Sequence, residues 1–148
     1  MLTDPKVVLP DDPVPKAVDL MIEHGIRNLP VASADGRFLG SFSTVRLIEM
    51  LLPKVATFKG ESFGAVTNLA FLRDSFDDIR DRLYQVRRRR VGDFMDVNVP
   101  TIGPNSSEVE GMLLLYKHRT HVPVVEPKSG RLVGVVSFRC ILQAITGH

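Results

Sequence analysis

The stretch "LVGVVSFRCIL", residues 132–142, has the rhythm of "FLGSFSTVRLI", residues 38–48, with the Gly and one Ser in the same places. A repeat constrains the fold before any single residue does, because each copy must be one supersecondary unit that buries its apolar face against the other. A shift of 93 lays "VVLPDDPVPKAVDLMIEHGIRNLPV" over "TIGPNSSEVEGMLLLYKHRTHVPV", with Leu20 on Leu113, Pro30 on Pro123 and Val31 on Val124. One extra residue in the next turn, "ADG" against "PKSG", makes the shift 94. Gly36 then meets Gly130, Arg37 meets Arg131, Gly40 meets Gly134 and Ser43 meets Ser137.

Each copy reads in the same order. A short β-prone piece ("KVVL", "VPTI") precedes a helix start: Asp12 as N-cap with Pro13 in the first helical position, or Asn105 as cap with Glu108 three residues on. Val14, Val18, Met21 and Ile22, and in the second copy Val109, Met112, Leu113 and Tyr116, fall on one helical face. A strand through "LPVAS" or "VPVVE", a Gly-containing turn and a strand "RFLGSF" or "RLVGVV" follow. A second helix closes each copy, with Ser43 or Ser137 at its start. The expected fold is α/β in the α+β sense: two β-α-β-β-α repeats packed with pseudo-twofold symmetry, plus a helical insert. The expected boundaries are 1–52 for repeat 1, 53–90 for the insert and 91–148 for repeat 2.

Within the insert, "LRDSFDDIRDRLYQVRRRR" has Ser75 as a cap, an acid-rich first turn and a basic last turn, all favouring a helix. Its stripe of Phe76, Ile79, Leu83 and Val86 must cover this chain's own repeats or meet a second copy. The preceding "VATFKGESFGAVTNLAFL" reads as loop with a short helix. "GESFG" fits a nucleophile-elbow pattern at Ser62, but that elbow belongs to a large sheet for which this chain has no room. The run Arg87 to Arg90 is balanced by Asp74, Asp77, Asp78 and Asp81 on the same helix, so a solvated helix end is expected and nucleic acid is not.

Composition narrows the classes further. A chain of 148 residues with 44% apolar and 24% charged residues is one domain's worth of globular protein, with no run long enough to span a membrane. The acids and prolines of "MLTDPKVVLPDD" are unlike a signal peptide, and Cys140 has no intrachain cysteine partner, so a cytoplasmic location is expected. A formal charge of +2 does not call for a polyanion. His118 and His121 lack supporting carboxylates in sequence, no nucleophile has an evident base, and neither a metal site nor an enzyme is expected.

The doubled pattern, a helix ending in a Gly- or His-containing loop, then "x-P-V", then "Gly-hydrophobic-x-Ser/Thr", resembles a tandem of CBS domains, the Bateman module. The resemblance covers residues 1 to 52 and 91 to 146 and implies a stand-alone regulatory module with a ligand in clefts between its repeats. The implied ligands are adenosine-type: AMP, ADP, ATP or S-adenosylmethionine. It also implies a homodimer and an unidentified effector protein. Its hydroxyl positions are Ser43 and Ser137, and its loop positions are Arg27 and Asn28 in one copy, Thr120 and His121 in the other. The family's ribose-binding Asp is replaced by Arg46 and Cys140, neither of which can accept two hydroxyl protons as a carboxylate does. Arg46 could instead grip a phosphate. The alternative is an assembly module whose clefts are vestigial.

Overall fold

The computed structural model describes residues 5–51 and 69–147 of the chain. Repeat 1 contains α1 (Val14–His24), β1 (Asn28–Ala32), β2 (Phe38–Ser43) and α2 (Thr44–Leu51). The insert contributes α3 (Leu69–Val86), and a 3-10 turn over Val91–Asp93 opens the segment entering repeat 2. Repeat 2 contains α4 (Glu108–His118), β3 (Val122–Val125), β4 (Leu132–Val136) and α5 (Phe138–Thr146). The β-prone openings shrink to single bridges: Val8 pairs in parallel with Val31, and Ile102 with Val124. Each repeat is thus β-α-β-β-α, with β1 antiparallel to β2 and β3 antiparallel to β4. The same register recurs, Val31 facing Gly40 and Val124 facing Gly134, with a bulge immediately after each.

The two hairpin tips interlock. Phe38 N–H donates to the Gly130 carbonyl (2.8 Å) and Leu132 N–H to the Gly36 carbonyl (3.0 Å), so the local twofold axis passes between Arg37 and Arg131. Both glycines have positive φ, +91° and +74°, which side chains rarely adopt, and a Cβ on Gly130 would also crowd the Arg37 side chain at 3.2 Å.

The helices match at a shift of 94 rather than 93. α1 and α4 run from Val14 to His24 and from Glu108 to His118, each ending in a left-handed residue, Gly25 and Arg119. Leu20 therefore overlies Leu114 and buried Met21 overlies buried Leu115. The loop to the strand is one residue shorter in repeat 2, which gives the 93 of Pro30 and Pro123. The longer turn then restores 94.

The caps also differ from expectation. α1 begins at Val14 after Pro13, with no side-chain cap. Asp12 instead accepts from Leu9 N–H (2.8 Å) and pairs with Lys16 (3.3 Å). Val14 N–H, which a cap would serve, donates to the Arg89 carbonyl (3.0 Å), so a neighbouring segment replaces the cap. In repeat 2 the cap is Ser107, accepting from Glu110 N–H (3.2 Å), and not Asn105. Ser75 lies inside α3, which starts six residues earlier at Leu69.

The core sits mostly in repeat 1, where Val8, Val14, Ala17, Leu29, Val31, Phe42 and Leu47 pack around Val91. Leu115, Val122, Val124 and Val135 are its buried counterparts in repeat 2. The face assigned to α4 is reversed: Gly111 and Leu115 are buried, whereas Val109, Met112, Leu113 and Tyr116 are exposed. Likewise Ile22 of α1 points out and Ala17 takes its place inside. α3 lies over repeat 1, with Val86 against the core, Arg82 donating to the Leu51 carbonyl (3.5 Å), and Leu83 and Tyr84 forming a groove with Val14 and Val18. The "GESFG" segment and the Phe76 side chain lie outside the described residues. Among the described residues no helix is long and apolar enough to cross a membrane.

Candidate functional site

The seam between the repeats holds two clefts. The first, about 220 Å³, takes Asn28, Ser41 and Ser43 from repeat 1 and His118, Thr120 and His121 from repeat 2. Its remaining wall is the segment entering repeat 2, with Asp96 and Asn98. An antiparallel bridge puts that wall there: Ser41 N–H donates to the Asp96 carbonyl (2.9 Å) and Asp96 N–H returns to Ser41 (2.8 Å). The approach is so close that a Cβ on Gly40 would stand 2.5 Å from the Asp96 carbonyl oxygen. A groove of about 420 Å³ adjoins the cleft, shares Ser43 and Asp96 with it, and adds Arg46 and Glu49. The second cleft, about 80 Å³, is lined by Lys6, Ile26 and Val135, and Asn28 and His121 border both clefts. Since Asn28 and His121 occupy matching places, the two clefts are related by the internal axis.

Four of the eight expected site residues, Asn28, Ser43, Thr120 and His121, meet in the first cleft. Arg46 stands in the adjoining groove with its side chain engaged: Nε donates to the Phe94 carbonyl (3.2 Å) and Nη1 pairs with Glu49 (3.5 Å). It ties α2 to the segment entering repeat 2. Arg27 lines neither cleft; its carbonyl accepts from Thr44 N–H (2.8 Å) and its charge reaches His121. Ser137 caps α5, accepting from Cys140 N–H (3.2 Å), and Ser43 caps α2 in the same way toward Arg46 (3.0 Å). Cys140 faces a cavity within repeat 2, away from the seam. Burial raises its thiol, but the hydrogen bonds from Ser137 are among the contacts that on balance hold it below the ordinary value.

Electrostatics sharpen the first cleft. Burial, and then the Arg27 guanidinium, hold the His121 imidazole below its ordinary pKa, so it is neutral at pH 7. Asp96 accepts from Asn98 N–H through Oδ1 (3.0 Å), leaving its second oxygen with no partner among the described residues. The Thr120 hydroxyl is buried without a hydrogen-bond partner among the described residues, which costs about 1–3 kcal/mol until something in the cleft supplies one. Sequence reasoning missed Asp96, Asn98 and Ser41. Gly40 signalled a close backbone approach, but nothing local said which segment approaches.

The comparisons with known proteins agree with this architecture. The sequence matches the CBS domain over residues 1–53 and 91–147, and the chain belongs to that family. No curated protein matches it. Its fold is similar to that of protein MJ1225 from Methanocaldococcus jannaschii, with a TM-score of 0.74 and 18% identity over 98% of this chain. The chain spans only 45% of that protein. It is also similar to the CBS-pair protein CBSX2 from Arabidopsis thaliana, with a TM-score of 0.71 and 20% identity over 99% of this chain and 92% of that one. CBSX2 in complex with AMP gives 0.68 and 18%, over 99% and 93%. Such a pair of CBS repeats is in general a regulatory unit rather than an enzyme.

Proposed function

We propose that the chain senses a small adenosine-type nucleotide in the first cleft and passes its occupancy to an effector protein. The observation that carries this is the buried Thr120 hydroxyl, unpartnered among the described residues, in a cleft where Asn28, Asp96, His118 and His121 converge. Asp96 supplies what the motif position lost. A carboxylate oxygen with no partner among the described residues can accept from a ribose hydroxyl, and it comes from the segment entering repeat 2 rather than from either closing helix. The likeness to a protein known in complex with AMP supports the ligand class. A ligand touching both repeats stabilises one relative orientation by as much as it prefers that state.

Calorimetry against AMP, ADP, ATP and S-adenosylmethionine tests the reading. Saturable binding is expected, weakened about tenfold or more by Asp96→Asn and by Thr120→Val. Thr120→Val should also make the unliganded protein more stable by about 1 kcal/mol, since it removes an unpaired buried hydroxyl. No heat at millimolar ligand, or equal binding by the variants, overturns it.

A second reading, assembly through a homodimer, is favoured by a separate observation. Leu113 of α4 is 67% exposed and Leu142 of α5 is 62% exposed, on adjacent helices of one repeat. The two readings are compatible, because a dimer can carry ligand in its clefts.

A further inference from the structure

The first cleft and the groove beside it meet at Ser43 and Asp96. Asp96 and Glu49 bring two carboxylates to this joint space. Among the described residues Arg46 is the one lysine or arginine that lines it, and its guanidinium is already committed. Nε donates to the Phe94 carbonyl (3.2 Å) and Nη1 pairs with Glu49 (3.5 Å). One negative charge is therefore left over at the junction, on Asp96. The imidazoles do not offset it: His118 and His121 line the cleft and not the groove, and burial holds His121 neutral. Arg27 lines neither space.

The uncharged hydrogen-bonding groups have the opposite distribution. Asn28, Ser41 and Thr120 line the cleft and are absent from the groove, so the cleft suits a purine. With the base there and the ribose at Asp96, the 5′ substituent lies along the groove. A phosphate in that place meets Asp96, and it can take Arg46 from Glu49 only by leaving the Glu49 carboxylate unpaired beside it. A cation in the same place is attracted by Asp96 and leaves the Arg46–Glu49 pair intact. Val45, Met95 and Val97 complete the groove and suit a methylene chain better than a polyphosphate.

We infer that Glu49 and Asp96 read the charge of the ligand's 5′ substituent, so that the site favours an adenosine with a cationic group there over one with phosphates. The sulfonium of S-adenosylmethionine is such a group. The inference rests on the nucleotide reading of the first cleft and narrows its ligand class.

The test is calorimetry on the full chain with adenosine, AMP, ADP, ATP, S-adenosylmethionine and S-adenosylhomocysteine, in low salt without divalent cations. Affinity should fall roughly fivefold with each added phosphate, the effect of one unit charge close to another at a solvated surface. It should rise about fivefold or more from S-adenosylhomocysteine to S-adenosylmethionine, which differ by a methyl group and the positive charge. Salt should compress both differences. Glu49→Gln, which removes a carboxylate and releases Arg46, should flatten the phosphate series and narrow the second difference, with thermal melts reporting whether it folds. ATP binding as tightly as AMP, or equal affinity for the two sulfur compounds, overturns the inference and leaves the nucleotide reading standing. An equal change for every ligand in Glu49→Gln means a structural role alone and also overturns it. No heat from any of the six at millimolar concentration overturns both.

Discussion

His121 shows how one residue's surroundings set its chemistry. Its pseudo-symmetric mate is Asn28, which cannot titrate, so at this position only one side of the seam carries an imidazole. The folded protein holds the imidazole below 6.5, by burial first and Arg27 second. As pH falls through that ordinary value the unfolded chain takes up the proton first, so stability present above it is lost toward the lower folded-state value. His121→Asn should flatten the fall in stability as the pH drops below about 6.5. Urea unfolding at a series of pH values checks this, and an unchanged slope in the variant sinks it. An anionic ligand in the cleft would raise the pKa again, coupling binding to proton uptake. The residues legible from sequence were those inside the repeated phrase, Asn28, Ser43, Thr120 and His121. Asp96 was not, because only the long-range bridge to Ser41 brings it to the cleft.

At the scale of elements, periodicity identified the helices but not which way they face. α4 has apolar residues on both sides. The sheet takes the side with Gly111 and Leu115, where small and branched groups let the helix approach closely, and leaves the bulkier stripe outside. Cap assignment failed for a similar reason. Asn105 and Ser107 are both good caps, and the choice was made by Ser106, whose hydroxyl accepts from Gly103 N–H (3.2 Å) and fixes the turn before the helix. Ser107→Ala should therefore cost about 1 kcal/mol. Asn105→Ala should stay within about 0.5 kcal/mol. Denaturant midpoints of the two variants decide it, and the reverse order would contradict the assignment.

For the whole molecule, the internal axis makes the two repeats alike and the insert makes them different. α3 covers part of the α1 and α2 side of repeat 1: Val86 packs against the core there, and Leu83, 43% exposed, faces Val14 and Val18 across a groove. At the shift of 94 Met112 takes the place of Val18, and among the described residues nothing covers it; Tyr116 and Leu142 are exposed, as are their counterparts Ile22 and Ile48. Two adjacent helices thus present Leu113, Tyr116, Leu142 and Ile145 to solvent, more than scattered surface apolar residues account for. Under the assembly reading the repeat-2 face of a second copy would cover it, because a twofold contact sets the same patch against itself. Removing two leucines worth about 1.5–3 kcal/mol each should then loosen the dimer by a hundredfold or more, roughly. Light scattering during size exclusion should show Leu113→Lys with Leu142→Lys as a monomer at concentrations where the unchanged chain is a dimer. Leu83→Lys should lower the melting temperature and leave the dimer intact. Dissociation by Leu83→Lys alone would move the contact onto the insert, and an unchanged mass for the double variant would remove it from repeat 2.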